Sequence, residues 1–428
     1  MTDIMALGLT SIRSYTQGLA TISDNVANAQ TPGYARRSTR IEDGTVIRYA
    51  DEWRNNEARI ASGLADQAAT RLNWLESAER ALDDGETGIG QRVGAVFNRA
   101  EELAADPNSI ARRSAYLQSI DDAAISFRTT ASGLKSSSEG IASQAQQTVT
   151  TFNSDLKGLL NINQTLLATP QGTSGYASLL DQRDRLLNDM SRAVPIDISL
   201  DFRGVATVRM SGTGATLLNP DVAGQLNVGT AANGTLTFSV NQPDGTTVDV
   251  VPPGGSLAGM SSASVDIADQ RASVDAVAAK FADLINSNQA GGKTKDGSPG
   301  GPLLDMGPDG ALTIAALDVS VDAIAASDGT ADNGNLIALN AARRDSGVET
   351  GWTAIVSSHA QQVQSAKLVQ ASSQSRSEAA DEARDQLSGV DLDREAVELM
   401  RLQQSYEAAA RVIQVAREML QSINQIGG

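Results

Sequence analysis

The sequence has 428 residues, enough for two or three domains with cores of their own. Only 4% of residues are aromatic against 41% hydrophobic, so any core is built from Ala, Leu, Val and Ile. A net charge of −17 argues against nucleic acid or an anionic membrane surface as partner, since both are repelled within a screening length of roughly 10 Å. The absence of cysteine excludes disulfides and thiolate metal sites.

Apolar residues near the N-terminus recur every seven positions at Met5, Ile12, Leu19 and Val26, with Gly8, Tyr15, Ile22 and Ala29 as a second row. This spacing predicts a helix with a coiled-coil seam. The opening Met1-Thr2-Asp3 carries no basic region and no apolar run reaches about 18 residues, so neither a cleaved signal nor a membrane span is expected. Asn28 to Tyr34 holds Pro32-Gly33, which ends the helix. Arg36 to Tyr49 reads as extended or irregular.

Helical patterns then run from Asp51 to Leu82 through Trp53, Ile60, Leu64, Leu72, Trp74 and Leu75, from Ile89 to Ala105, and from Ser109 to about Leu167. After a loop at Pro170 to Gly175, another helix covers Tyr176 to Met190. At Pro195 the period changes to two: Val194, Ile196, Ile198, Leu200 and Phe202 alternate with polar residues, as in a strand. Val208 and Met210 follow. Asn233-Gly234 and Asp244-Gly245 are hairpin turn pairs flanking Thr235 to Val240, and Thr246 to Val251 closes the set. Helix resumes from Val265 to Asn288. Residues 291–334 read as a long loop with one short strand at Leu312 to Ile314. Helices at Asn335 to Ala342 and Trp352 to Arg384 precede the break at Ser388-Gly389.

The last stretch repeats the seven-residue period: Leu392, Leu399, Tyr406, Ile413 and Leu420, with Leu402, Ala409, Ala416 and Ile423 as the second row and Glu395 out of pattern. It predicts a helix about 50 Å long that needs a partner. The N-terminal seam supplies one, and the small Gly8, Ala409 and Ala416 permit close approach. Val397, Met400, Val412, Val415 and Met419 widen the apolar stripe beyond what one partner requires. Both ends therefore meet and something further covers them. The subunit-interface residues expected on this basis are Met5, Ile12, Tyr15, Leu19, Ile22, Val26, Leu392, Leu399, Leu402, Tyr406, Ala409, Ile413, Ala416, Leu420 and Ile423.

The fold expected is mainly α with a small inserted antiparallel β domain, elongated and nested. Residues 1–45 with 386–428 form the terminal coiled coil, 46–192 with 263–385 a helical domain, and 193–262 the β-rich insertion. No catalytic, cofactor or metal site is expected. Gly88-Ile89-Gly90 with Gly94 has the wrong spacing for a phosphate loop and no strand before it. His359 has no carboxylate or serine at a triad spacing and reads as a solvated residue of a polar helix. Asp391, Asp393 and Glu395 fit the favoured acidic first turn of a helix. Asp296-Gly297 and Asp309-Gly310 lack the ligands of a calcium loop. Asn163-Gln164-Thr165 matches a glycosylation acceptor only at chance level. The chain does not read as an enzyme.

Asn25-Val26-Ala27-Asn28-Ala29-Gln30-Thr31-Pro32-Gly33-Tyr34 resembles the N-terminal signature of bacterial flagellar axial proteins. Ser388 to Glu395, followed by Leu402-Gln403-Gln404-Ser405-Tyr406 and Arg411-Val412-Ile413, is similar to their C-terminal signature. Leu179-Leu180-Asp181-Gln182-Arg183-Asp184 and Asp106-Pro107 with Arg112-Arg113 narrow the resemblance to the hook-associated protein 1 family of hook–filament junction proteins. Leu402 departs from the aromatic residue frequent in that family, and the middle of the chain is shorter. The resemblance implies a structural role in the flagellum, export by the flagellar type III apparatus without a cleaved signal, and self-assembly into a ring. It further implies contact with the hook protein and with a second hook-associated protein or flagellin, and an export chaperone on the C-terminal helix. A hook or rod protein and a cytoplasmic coiled-coil adaptor are the alternatives.

Overall fold

The computed structural model describes residues 2–31 and 33–426; the side chains of residues 2–4, 7, 420 and 423–426 lie outside that description. Helix α1 (Thr2–Ala27) leads into a hairpin of β1 (Arg37–Thr39) and β2 (Val46–Arg48), in which Arg37 faces Arg48. Helices α2 (Glu52–Ala81), α3 (Ile89–Ala105), α4 (Ile110–Ala168) and α5 (Ser174–Ala193) follow in the expected order. Their starts carry side-chain caps. Asp51 accepts from the Trp53 and Arg54 amides at 2.9 and 3.1 Å, and Ser109 from the Arg112 amide at 3.4 Å. Thr173 accepts from the Tyr176 amide at 3.2 Å, which starts α5 inside the stretch expected as loop.

Two three-stranded antiparallel sheets come next: β3 (Ile196–Leu200), β4 (Ala206–Met210) and β5 (Thr216–Leu218), then β6 (Gln225–Thr230), β7 (Leu236–Asn241) and β8 (Thr247–Val250). The turn glycines Gly234 and Gly245 have φ of 92° and 86°, the region where a Cβ is penalised. The chain then forms α6 (Gly255–Gly291), a hairpin of β9 (Leu304–Met306) and β10 (Ile314–Ala316), and helices α7 (Gly334–Asp345), α8 (Val348–Ser388) and α9 (Leu392–Ile426). The molecule is mainly helical with small antiparallel sheets, as expected. One apolar core runs from the helices into both sheets, with Tyr116, Phe97, Phe127, Phe152 and Phe281 fully buried.

Several expectations are corrected. β5 and β6 were not expected, β5 being only three residues long and β6 alternating over no more than Leu226 and Val228, and residues 291–334 contain a hairpin rather than one strand. α6 begins at Gly255, ten residues before Val265 and inside the segment 193–262. Its Gly- and Ser-rich first turns are weak helix formers, but they lie flat on α2: a Cβ at Gly259 would sit 2.4 Å from the Gln67 carbonyl. On α2 the face that packs is lined by Ala58, Ala65, Ala68, Leu75 and Ala78, whereas Trp53, Ile60 and Leu64 are exposed. Tertiary packing of small residues has overridden the larger apolar ones.

His359 is also corrected: it is buried, not solvated. Its Nε2 lies 3.0 Å from the Leu75 carbonyl and its Nδ1 2.5 Å from Gln270 Nε2. The carbonyl accepts and the amide donates, which selects the neutral ring protonated at Nε2. Burial holds its pKa below the ordinary 6.5, against the opposing pull of the Leu75 carbonyl, Glu79 and Asp266. With the folded pKa below the unfolded one, its contribution is complete above about pH 6.5 and is lost as pH falls through the folded value. Thermal midpoints of the wild-type chain should decline below that pH, and His359→Gln should flatten this part of the curve. An unchanged slope in the variant would assign the decline to other groups.

A recurrent device attaches strands to helices. On α4, Asn163 donates to the Ala206 carbonyl at 2.8 Å and accepts from the Ala206 amide at 2.9 Å; Asn153 does the same for Leu226 at 2.8 and 2.9 Å. On α6, Asn286 holds the Leu304 carbonyl and the Leu303 and Leu304 amides. Each amide imitates one residue of a neighbouring strand. Asn163 is fully buried, so its glycosylation motif is structural. Asn163→Ala leaves a buried strand amide and carbonyl unpaired and should cost about 2–4 kcal/mol in urea unfolding. The exposed Asn161→Ala is the control; equal stability of the two would remove this role.

Candidate assembly interface

The seam between α1 and α9 forms within one chain, but in a shifted register. On α1 the buried positions are Gly8, Ser14, Gly18, Thr21, Ile22 and Asn25, while Met5, Ile12, Tyr15 and Leu19 are half-buried and Val26 is exposed. On α9, Glu395, Leu402, Ile413 and Ala416 are buried, Leu399 and Ala409 half-buried, and Leu392 and Tyr406 exposed. The side chains of Leu420 and Ile423 lie outside the described residues. The large residues of α9 fill gaps left by glycine. A Cβ at Gly8 would lie 2.7 Å from Ile413 Cγ1, and one at Gly18 2.7 Å from Leu402 Cδ1.

The residue out of pattern anchors this seam. Glu395 is 0% exposed. It accepts from Arg36 Nε at 2.7 Å and from Asn25 Nδ2 at 2.9 Å. Asn25 also donates to the Arg37 carbonyl at 2.8 Å and accepts from its amide at 3.0 Å, the same strand imitation seen on α4. Tyr34 donates its hydroxyl to Asn25 Oδ1 at 2.9 Å. Burial pushes its pKa up to about 12, with Arg37 pulling the other way, so the phenol keeps the proton it donates. An isolated buried carboxylate would be prohibitive; here every lone pair in use faces a donor.

The hairpin is then clasped to α5. Asp181 pairs with Arg37 and, at 2.6 Å, with Arg48; Asp184 takes Arg48 at 2.7 Å and Arg183 at 2.7 Å. Arg59 of α2 stands 3.6 Å from Asp184. Desolvation pushes the Asp184 carboxyl up, but Arg183, Arg48 and Arg59 outweigh it and hold the group below the usual carboxylate range. Arg37 and Arg36 also lie over the rings of Tyr34 and Tyr49, at 4.8 and 5.2 Å.

The signature residues thus divide into two sets. Asp181, Arg183, Asp184 and Tyr34 are buried or half-buried members of these networks, and Leu180 packs near Ile162, Leu166 and Val205. Asn28 caps the end of α1 by donating to the Asp24 carbonyl at 2.9 Å while accepting from Thr31 at 3.3 Å, and Gly33 takes a φ of 75° against Arg185. Pro32 lies outside the described residues. Gln182, Gln403, Gln404 and Arg411 are exposed. Site reasoning from sequence missed Asn25, Arg36, Arg37, Arg48, Arg59 and Glu395. The signals were present: a lone acid in an apolar row and an arginine doublet after the turn.

The second face of α9 has no cover among the described residues. Val397, Met400, Val412, Val415 and Met419 are all about half exposed or more. At 3.6 residues per turn, Val397, Val412, Val415 and Met419 fall within an arc of about 60° on the side away from the seam. Gln404 and Arg411 lie on the same side. Exposed apolar rows of this kind are a feature of protein-interaction surfaces. Among the described residues no cluster of His, Cys, Asp and Glu could hold a metal ion, and no helix is long and apolar enough to cross a membrane.

The sequence profile described as "Flagellar hook-associated protein FlgK helical domain" matches residues 75–304, and one described as "Flagellar basal body rod FlgEFG protein C-terminal" matches residues 385–426. Flagellar hook-associated protein 1 of Salmonella typhimurium is 23% identical over 314 residues, covering 67% of this chain and 56% of that protein. Its Bacillus subtilis counterpart is 24% identical over 213 residues, covering 44% of this chain and 42% of that protein. The chain therefore spans about half the length of these relatives. The structure of the flagellar hook junction protein FlgK from Burkholderia pseudomallei shares the fold, with a TM-score of 0.53 at 21% identity over 59% of this chain and 47% of that one. With more than half of its length matched by the first profile, the chain belongs to the flagellar hook-associated protein FlgK family.

Proposed function

We propose that this chain is a structural subunit of the junction between flagellar hook and filament, and that copies assemble through the outer face of α9 and the adjoining surface of α1. The observation that carries this reading is the uncovered apolar row on α9, a helix whose inner face is already occupied by α1. In this reading the terminal part (residues 1–45 with 386–428) sits at the centre of the assembly and the helical body (46–192 with 263–385) outside it. The β-rich insertion from 193 lies farther out, with its end moved to 254 because α6 starts at Gly255. Neighbouring copies form a ring that touches the hook protein on one side and a second hook-associated protein or flagellin on the other. Before assembly the chain is exported by the flagellar type III route without a cleaved signal, its apolar C-terminal helix held by a chaperone.

A strain lacking the protein should carry hooks without filaments and release flagellin into the medium, as seen by electron microscopy and by blotting. Normal filaments would overturn the proposal. The match of residues 385–426 to the rod-protein profile supports one rival, a place in rod or hook; loss of hooks together with filaments would favour it.

A further inference from the structure

The one histidine of the chain joins three helices. His359 of α8 is buried, with one ring nitrogen on the Leu75 carbonyl of α2 and the other on the side-chain amide of Gln270 from α6. With Gln270 Nε2 turned to the ring, Gln270 Oε1 is buried and has no hydrogen-bond partner among the described residues. A half-turn of that amide exchanges the two atoms within nearly the same volume. Oε1 would then face the ring and Nε2 would take the unpartnered place. Each orientation pairs one amide atom and leaves the other unpaired, so the two are close to balanced. The ring decides between them. A neutral ring protonated at Nε2 needs a donor at Nδ1, whereas a doubly protonated ring needs an acceptor there.

The charges around the ring come from all three helices. On α2, Glu79 lies one turn beyond Leu75 and forms no ion pair among the described residues. On α6, Asp266 lies one turn before Gln270 and is held by Arg71 at 3.0 Å. On α8, Lys367 is drawn off to Glu76 at 3.3 Å. Burial opposes a charged ring and outweighs the Leu75 carbonyl, Glu79 and Asp266, which favour it. The second proton therefore arrives in mild acid, not at neutrality.

Charging the ring weakens the junction it forms, and the segment with least else to hold it is the second half of α8. Val363 and Ala366 pack on Leu75 and Leu72 in a small cluster separate from the main core. Beyond Ala366 the helix runs about six more turns and buries only Ser377 and Ser388. Its ties to α2 there are polar: Ser377 meets Ser62 at 3.2 Å, and Arg54 donates to the Ala383 carbonyl. Segments so thinly buried are the first to open.

We propose that His359 and Gln270 form a proton-operated latch for α8. With the ring neutral, Gln270 donates to it and α8 is held; with the ring doubly protonated, Gln270 turns over to accept and the second half of α8 loosens from α2 while the rest of the fold persists. Because the chain has a single histidine, nitrogen-15 NMR of the full chain reads this ring without ambiguity. At about pH 7.5 it should show the Nε2–H tautomer, and near pH 5 a doubly protonated ring in a chain of unchanged circular dichroism. Hydrogen exchange, corrected for intrinsic rates, should rise over residues 363–388 and not over β3 and β4. The rise should be roughly tenfold, the change given by one unit of pKa difference between the held and loosened states. Gln270→Glu, whose carboxylate only accepts, should raise the midpoint of the ring by about 2 pH units and flatten the exchange of α8 across this range. A ring that stays neutral until the whole chain unfolds would overturn the latch, and so would one already doubly protonated at neutral pH. Titration of the ring with no change in the exchange of α8 would overturn it equally, and these readings on the wild-type chain stand whether or not Gln270→Glu folds.

Discussion

Replacing Asp181 with alanine is expected to cost about 3–5 kcal/mol, because it strands charged guanidinium groups that the fold has already desolvated. Asp181 answers both Arg37 and Arg48, which share one side of the terminal hairpin, and lies 3.4 Å from the Ala35 amide. Removing it leaves Arg37 with the Ser178 hydroxyl at 3.3 Å, the Tyr34 ring and, as a counter-charge, a distant, half-exposed Asp24 at 4.0 Å, while Arg48 keeps Asp184. The loss should be local at first: residues around the hairpin become sensitive to protease before the core of α4 and α6 opens. Denaturant unfolding followed by fluorescence and limited proteolysis would measure both effects. Glu102→Ala, which removes a solvent-exposed partner of Arg99, is the control and should leave stability unchanged. If the two variants lose the same stability, the buried clasp is not what holds the hairpin on α5.

The second large effect concerns assembly rather than folding. Val397→Glu, Val412→Glu and Val415→Glu in one chain place three charges on the outer face of α9. Glutamate is a better helix former than valine, so the helix itself should persist. The inner seam of Leu402, Ile413 and Ala416 is untouched, and the thermal midpoint should hold. Burying even one unpaired carboxylate in an interface costs several kcal/mol, so three should abolish incorporation and swimming, with the variant recovered from the medium instead. A cell swimming normally with this variant would show that the outer face does not meet a partner. Leu402→Asp makes the contrast, because it strikes the inner seam at Gly18 and should lower the midpoint itself.

Much of the architecture was legible in the residues. Seven-residue periods at both ends, the change of period at Pro195 and the turn pairs at Gly234 and Gly245 depend on neighbours in sequence, and local chemistry carries them. The limits of α3 were read to the residue for the same reason. The family resemblance was legible too, because its motifs mark places where the backbone or a buried charge has few alternatives.

The register of the seam was not. A heptad pattern identifies a helix face to within about one residue, and here Gly8, with Gly18 from outside the expected rows, lets α9 come close enough for Ile413 and Leu402 to pack. Glu395 looked like a flaw in an apolar row until Arg36 and Asn25, more than 350 positions away in the chain, were brought against it. Likewise a polar helix carrying His359 gave no hint that Leu75 and Gln270 enclose the ring. Sequence alone determined most of the helices, the strands flanked by clear turn pairs, and that both ends carry apolar faces. Only the tertiary structure decided which of those faces the chain covers for itself and which it leaves open, because burial of a charge or a methyl group is settled by what arrives from distant parts of the chain.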